Sequence, residues 1–329
     1  MALRIIRKSA SQSQVEIIKG TGETEPLISL LFFVEHQDQL SALNAHLEAH
    51  PWVQENAQCL IMKSKAIEGS IRSYFTPLHH TLKLINEPKS PTWSQRLRSL
   101  MQEAQTDWVV FVPQLEPEVD LSRLCQAYLT QSKNLPNTAL MAPVLTHENE
   151  IIAAGQMQNG TLSKHHLWFD QAMHTPNHEE GLYYFYEHVP LKEDKLPWKT
   201  PLLAQAVPLA FAALHREAYL KHTWKNQDWN LPWLAQELSQ TLTTLQYRIA
   251  VIPVALQLSE NTLSLLEKTP MPEGFTEQTH LPTQDLRFRL YRNHGFIQKG
   301  TQFVFAPTQP DQLAQSASTH YTRYTSSKG

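Results

Sequence analysis

The 329-residue chain, 41% apolar and 18% charged, is too apolar for a disordered protein and long enough for one large domain or two ordinary ones. A net charge of −3, with Lys and Arg scattered, gives no electrostatic case for nucleic acid or an acidic membrane. Ten glycines, with no GxGxxG or P-loop pattern among them, argue against a glycine-rich phosphate loop.

Residues 1–25 read as an N-terminal segment that is polar after Ile18, ending in an exposed stretch from Gly20 to Glu25. The apolar part of Met1–Lys8 is too short for a signal peptide. Leu27–Val34 is the first strong strand, and Leu40, Leu43 and Leu47 then mark one face of a helix ending near His50-Pro51. Gln58–Met62 and Thr81–Ile85 are further strands, with a loop at 63–70 between them and a helix opening at Ile71–Phe75. Leu97, Leu100, Met101 and Ala104 follow i, i+3, i+4, i+7 spacing, which predicts an amphipathic helix. Trp108–Val112 is an apolar run rich in β-branched residues, stopped by Pro113, and predicts a fully buried strand. Leu121, Leu124, Cys125 and Tyr128 repeat the helical spacing.

Strand and helix thus alternate to about residue 130, the pattern of an α/β protein with a mostly parallel sheet and helices on both faces. Ligands of such sheets bind beyond the carboxyl ends of the strands, which directs attention to residues 113–120. Beyond 135 the rhythm changes. Thr138–Val144 is a strand, and Glu150–Ala154 is one edge of a hairpin. Residues 160–200 lack periodicity and carry His165, His166, His174, His178 and His188 among aromatics. Adjacent histidines are poorly spaced for chelation, and the aromatics suit either a loop that lids a site or core filling. Pro201–Leu214 is the longest apolar stretch, too short to span a bilayer, and reads as core. Leu234, Leu238, Leu242 and Leu245 predict a helix, and Arg248–Leu258 a late strand broken by Pro253. Residues 259–329 form a more polar C-terminal extension with a strand pair around Phe288–Phe305 and a disordered tail. Cys59 and Cys125 lie in apolar segments and read as buried thiols, which favours a cytoplasmic location. No nucleophile elbow of a Ser-His-Asp hydrolase is found.

Seven pieces stand in a telling order: Pro26–Val34, Met62–Ser70, Ala104–Val112, His147–Gly155, Val207–Tyr219, Gln227-Asp-Trp-Asn-Leu231 and Tyr247–Pro253. In that order they resemble inverting nucleotide-sugar glycosyltransferases of the GT-A fold, the large family that builds bacterial polysaccharides. The resemblance covers residues 26–258 as the transferase domain. It implies a nucleotide-sugar donor and a glycan or glycoconjugate acceptor, with a protein partner in a polysaccharide assembly system. It also carries departures. Pro113-Gln-Leu115 stands where the family has the D-x-D whose carboxylates hold a divalent metal. Lys63 stands where an aspartate reads the nucleobase, and Trp93–Arg98 replaces an Asn- and Gly-bearing helix start.

The resemblance makes Asp228 the catalytic base that deprotonates the acceptor hydroxyl; the plain alternative is a helix N-cap ahead of Leu231-Pro232. Glu116 and Glu118, at i, i+2 in an extended segment, share one face and are candidates for Mg or Mn, or else simply precede a helix and favour its dipole. Lys63, Lys65, Arg96 and Arg98 are candidates for direct contact with a diphosphate, against a solvated face for the two arginines. The sequence supports two functions. One is sugar transfer by inverting displacement with a metal-independent diphosphate site. The other is an inactive glycosyltransferase fold serving as a binding or regulatory partner.

Overall fold

The computed structural model describes residues 15–22, 24–65, 67, 74–75, 81–87, 91–153, 155–158, 167–168, 182–184, 189–190, 196, 199, 201–204, 206–222, 229–245, 247–266, 296–299 and 302–305. Along the chain the elements are β1 (Val15–Ile18), β2 (Ile28–Val34), α1 (Gln37–Ala49), α2 (Pro51–Asn56), β3 (Ala57–Lys63), β4 (Leu82–Asn86), α3 (Trp93–Glu103), β5 (Trp108–Val112), α4 (Leu121–Asn134) and β6 (Thr138–His147). They continue with β7 (Glu150–Ala153), β8 (Gln156–Gln158), β9 (Leu167–Trp168), β10 (Leu182–Tyr184), β11 (Val189–Pro190), β12 (Leu202–Leu203) and β13 (Ala213–His215). The last are α5 (Arg216–Leu220), α6 (Leu231–Thr244), β14 (Arg248–Gln257), α7 (Glu260–Ser264), β15 (Phe296–Lys299) and β16 (Gln302–Phe305). Among the described residues no helix is long and apolar enough to cross a membrane.

The chain divides into two compact units. The first holds residues 1–141, 209–234 and 258–267; the second holds 142–208, 235–257 and 268–329. The sequence-based boundaries at 25 and 258 follow composition instead. Strand β1 pairs antiparallel with β4 in the first unit, and residues 258–267 belong to that unit too.

In the first unit the strand order is β1-β4-β3-β2-β5-β13-β6. Strands β4, β3, β2 and β5 are mutually parallel, and β13 runs antiparallel between β5 and the start of β6. The fold is therefore α/β with a largely parallel central sheet. Three strands of that parallel run, β2, β3 and β5, are buried along nearly their whole length, so both faces of the sheet are covered there. Helix α1 packs on β2, and α2 and α3 pack on β3.

The helix starts have local causes. Thr92 Oγ1 accepts from Gln95 N (3.2 Å) while Gln95 Oε1 accepts from Thr92 N (3.3 Å), a capping box that opens α3. The Asp120 carboxylate accepts from Arg123 N at 2.9 Å and opens α4. Pro51, expected to follow a helix end, is also the first residue of α2, where its missing N–H costs nothing. At the amino end of the sheet a largely buried polar network ties β2 and β3 to the residues that lead into β5. Ser29 Oγ donates to Gln58 Oε1 (2.9 Å) and lies 2.8 Å from Thr106 Oγ1, and Gln58 Nε2 donates to Gln105 Oε1 (2.9 Å).

In the second unit the order is β6-β14-β12, with β7 paired to β6 and β11 to β7. Glu148 and Asn149, at φ 47° and 64°, make the two-residue turn of the β6–β7 hairpin, the left-handed pair that matches strand twist. Strand β14 runs unbroken through Pro253, contrary to the sequence expectation. Its partner β12 pairs only with Ala250 and Val251, so the ladder on that side stops before the proline and loses no bond to it. The expected strand pair near the C-terminus is the antiparallel β15–β16 hairpin.

Candidate functional site

The parallel strands of the first unit end together. Val34 lies opposite Lys63, Lys63 opposite Asn86, and Phe32 opposite Val112. The backbone just beyond is pinned: Ser64 N donates to Val34 O (2.8 Å) and Glu87 N to Lys63 O (3.0 Å). This carboxyl edge is the place where an open α/β sheet receives a ligand.

Aromatic rings floor one side of it. The Phe33 ring lies 5.2 Å from Trp93 and 5.3 Å from Phe111, and Trp93 lies 5.9 Å from Phe111. Phe111 is buried, whereas Phe33 and Trp93 are half-buried. The Arg96 guanidinium stacks over Trp93, 4.8 Å from the ring centroid, and its terminal nitrogen meets Glu87 Oε1 at 2.6 Å. These residues are together because β4 ends one residue before Glu87 and the capping box starts α3 at Trp93, which sets Arg96 in the first turn of that helix.

The cationic candidates separate in this frame. Lys63 ends β3 half-buried, and its Nζ donates to Ile67 O at 3.2 Å, folding the side chain along its own loop. Arg96 faces Glu87 and Trp93, while Arg98 and Lys65 are exposed. Sequence spacing alone could not rank Arg96 above Arg98; the sequence signal that does so is Trp93, three residues before Arg96 on the same helical face.

The acidic candidates are not brought together. Val119 N donates to Glu116 O at 3.1 Å, closing a turn at Pro117-Glu118, so the expected extended segment with both carboxylates on one face is not what forms. Glu116 is 4% exposed, and its Oε1 accepts from Ser259 N (3.3 Å), from Ser259 Oγ (2.6 Å) and from the Thr262 hydroxyl. Glu118 is exposed within the turn. A divalent cation needs two or more convergent oxygens at this position. Pro113 and Leu115 offer no side-chain oxygen, Gln114 offers a single neutral amide oxygen, Glu116 is committed inward and Glu118 is exposed in the turn. The residues present do not fit a metal at the D-x-D position, and among the described residues no group of three or more His, Cys, Asp or Glu could hold one.

Two further features bear on the edge. Phe211 has φ 59°, a left-handed backbone unusual for so bulky a residue, in the turn where Ala212 N donates to Leu209 O (2.9 Å). The register of β13 on β5 sets this turn beside Val112. Asn230 accepts from Trp233 N through Oδ1 at 3.3 Å and from Leu234 N through its carbonyl (3.0 Å), so Asn230 is the N-cap of α6. Asp228, and the histidines at 165, 166, 174, 178 and 188, lie outside the described residues.

No protein-family model matches the chain, and no curated protein matches it. Solved structures do. A mannosyltransferase from Pyrobaculum calidifontis, PcManGT, in complex with GDP-Man and Mn2+, is similar at 10% identity and TM-score 0.43, over 82% of this chain and 62% of that one. This chain thus spans under two thirds of that protein's length. A mycobacterial protein is similar at 12% identity and TM-score 0.42, over 82% of this chain and 75% of that one. TarS of S. aureus is similar at 9% identity and TM-score 0.39, over 73% and 38%. The fold of this chain rests on its own strand order and directions.

Proposed function

We propose that the chain is a glycosyltransferase-like protein that binds a nucleotide sugar at the carboxyl edge of β2–β5 and passes the sugar to a hydroxyl of a glycan or glycoconjugate. The observation that carries this reading is the composition of that edge: half-buried Phe33 and Trp93 beside Arg96, with Lys63 at the neighbouring strand end. Flat rings suit a nucleobase or a sugar face, and a guanidinium fork suits phosphate oxygens.

In the proposed reaction Asp228 takes the proton of the acceptor hydroxyl. That oxygen attacks the anomeric carbon from the face opposite the diphosphate. The new C–O bond forms as the bond to the diphosphate oxygen breaks, with inversion, and the nucleoside diphosphate leaves with the electron pair. Arg96 and Lys63 offset its growing charge in place of a metal. Support for Asp228 as base comes from its rival role: the cap of α6 is filled by Asn230, so helix capping does not call for Asp228.

The test is a thermal-shift and calorimetric screen of nucleoside diphosphates and nucleotide sugars, with EDTA and with Mg²⁺ or Mn²⁺. A specific ligand raises the melting temperature by mass action, and this reading expects the rise to persist in EDTA. Arg96→Ala removes it, and Asp228→Asn abolishes transfer while the ligand still binds. No shift from any nucleotide at millimolar concentration sinks the reading. Binding of the nucleotide without transfer to any acceptor favours the second reading, an inactive binding or regulatory partner, for which the loss of D-x-D at Pro113-Gln-Leu115 speaks.

A further inference from the structure

We infer that Glu116 is a positioning residue that docks residues 258–266 against the loop beyond β5 and so makes them part of the ligand edge.

The contact joins residues 143 and 146 positions apart, wholly inside the first unit. Helix α7 has five residues, too few to stand in water alone. Its N-cap Ser259 makes no side-chain bond to its own helix; the Ser259 hydroxyl and amide both point to Glu116 instead. The carboxylate therefore takes the N-cap amide, the part an N3 Glu or Gln plays in a capping box, and ties the first turn of α7 through the hydroxyls of Ser259 and Thr262. Leu258, Thr262 and Leu266, spaced by four, are all buried, so one stripe of the segment docks as a unit.

The other end of the contact is the loop beyond β5. Glu116 points inward, Val119 closes the turn on its carbonyl and is buried, and Asp120 opens α4. The loop from Pro113 to Asp120 is thus fixed at both ends of its turn, by α7 through Glu116 and by α4 through Asp120. A buried carboxylate that keeps three donors is stable where it is; with the donors removed it would be left desolvated. The conformation of the loop at the tip of β5 consequently depends on α7 being docked. The nucleotide arm of the test below rests on the reading given under Proposed function; the exchange arm does not.

Hydrogen exchange by mass spectrometry on the full chain decides it. Wild type, Glu116→Gln, Glu116→Ala and the pair Ser259→Ala with Thr262→Val are compared at a temperature where each is folded. Glu116→Ala and the Ser259/Thr262 pair should speed exchange of peptides covering 258–266 and 113–120 together, by about tenfold or more. Glu116→Gln keeps an acceptor oxygen and should restore most of the protection. Unchanged exchange in either peptide, or exchange of one without the other, overturns the inference. Should Glu116→Ala not fold, the Ser259/Thr262 pair carries the same comparison. In parallel, the dissociation constant for GDP and UDP is measured. Weakening in Glu116→Ala with rescue in Glu116→Gln supports a positioning role, and unchanged affinity despite a released loop overturns it. If wild type binds neither nucleotide, the reading of the site as a nucleotide-sugar site fails, and the exchange comparison alone decides the role of Glu116.

Discussion

The Tyr128 hydroxyl donates to the carbonyl of Phe211 at 2.7 Å, with both residues fully buried. Phe211 is held at a left-handed φ, which costs a residue with a Cβ about 1–2 kcal/mol. The bond from helix α4 is one of the forces that keep it there. Burial pushes the Tyr128 phenol well above its ordinary pKa, so the hydroxyl remains a donor throughout the useful pH range. Tyr128→Phe should cost about 1–3 kcal/mol, since it leaves a buried carbonyl without its partner. Urea unfolding followed by tryptophan fluorescence measures this, and a cost near zero would mean that the left-handed turn holds itself.

The His46 ring is 8% exposed, packs edge-on to His50 at 4.5 Å, and has no hydrogen-bond partner on Nε2 among the described residues. Burial first, and the neighbouring His50 second, lower its pKa to about 4; Asp120, whose carboxylate lies 3.6 Å from His50, pulls weakly the other way. The unfolded chain therefore takes up this proton near pH 6.5 while the folded chain refuses it until about pH 4. Stability should be complete above pH 6.5 and fall as pH drops toward 4, by at most about 3 kcal/mol from this group. His46→Leu should flatten that part of the curve. A wild-type stability independent of pH between 7 and 4.5 would contradict it.

Cys59 and Cys125 are free and buried, and burial pushes the Cys59 thiol up to about 12 and Cys125 higher still. Thiolate is the reactive form, so both should ignore a thiol reagent such as Ellman's at pH 8 in the folded chain. Both should react fully in denaturing urea. Rapid labelling of either in the native state would mean that the sheet opens locally near β3 or α4.

Asn230→Ala should lower stability by about 1 kcal/mol, the usual worth of a side-chain N-cap. Asp228→Asn should leave the melting temperature nearly unchanged. The reverse ranking in a thermal melt would assign the cap to Asp228 and remove the main structural support for its proposed role as base.

The parallel core was legible because its signals are local. Trp108–Val112 has the bounds expected from its apolar run and Pro113, and Leu97, Leu100 and Met101 all face the core from α3. The exceptions are non-local. Glu116 and Glu118 read as a pair only if the chain between them is extended, and Pro117-Glu118 turns it. The partner that claims Glu116 lies 143 residues away, beyond the reach of any periodicity. Pro253 looks like a breaker from sequence alone, because its cost depends on the length of β12, which sequence does not reveal. For the candidate site, the strand-end location is an expectation from sheet topology, and the preference for Arg96 over Arg98 in the proposal rests on the Trp93 stack, a tertiary contact.

The first unit is assembled from three stretches of chain, 1–141, 209–234 and 258–267. During synthesis the ribosome releases β5 long before its antiparallel neighbour β13 exists, leaving one side of that strand with unmatched backbone groups for the time taken to make about a hundred residues. The buried carboxylate of Glu116 waits longer still, until Ser259 and Thr262 emerge. Nascent chains arrested before residue 262 should therefore be the ones that need a holding chaperone.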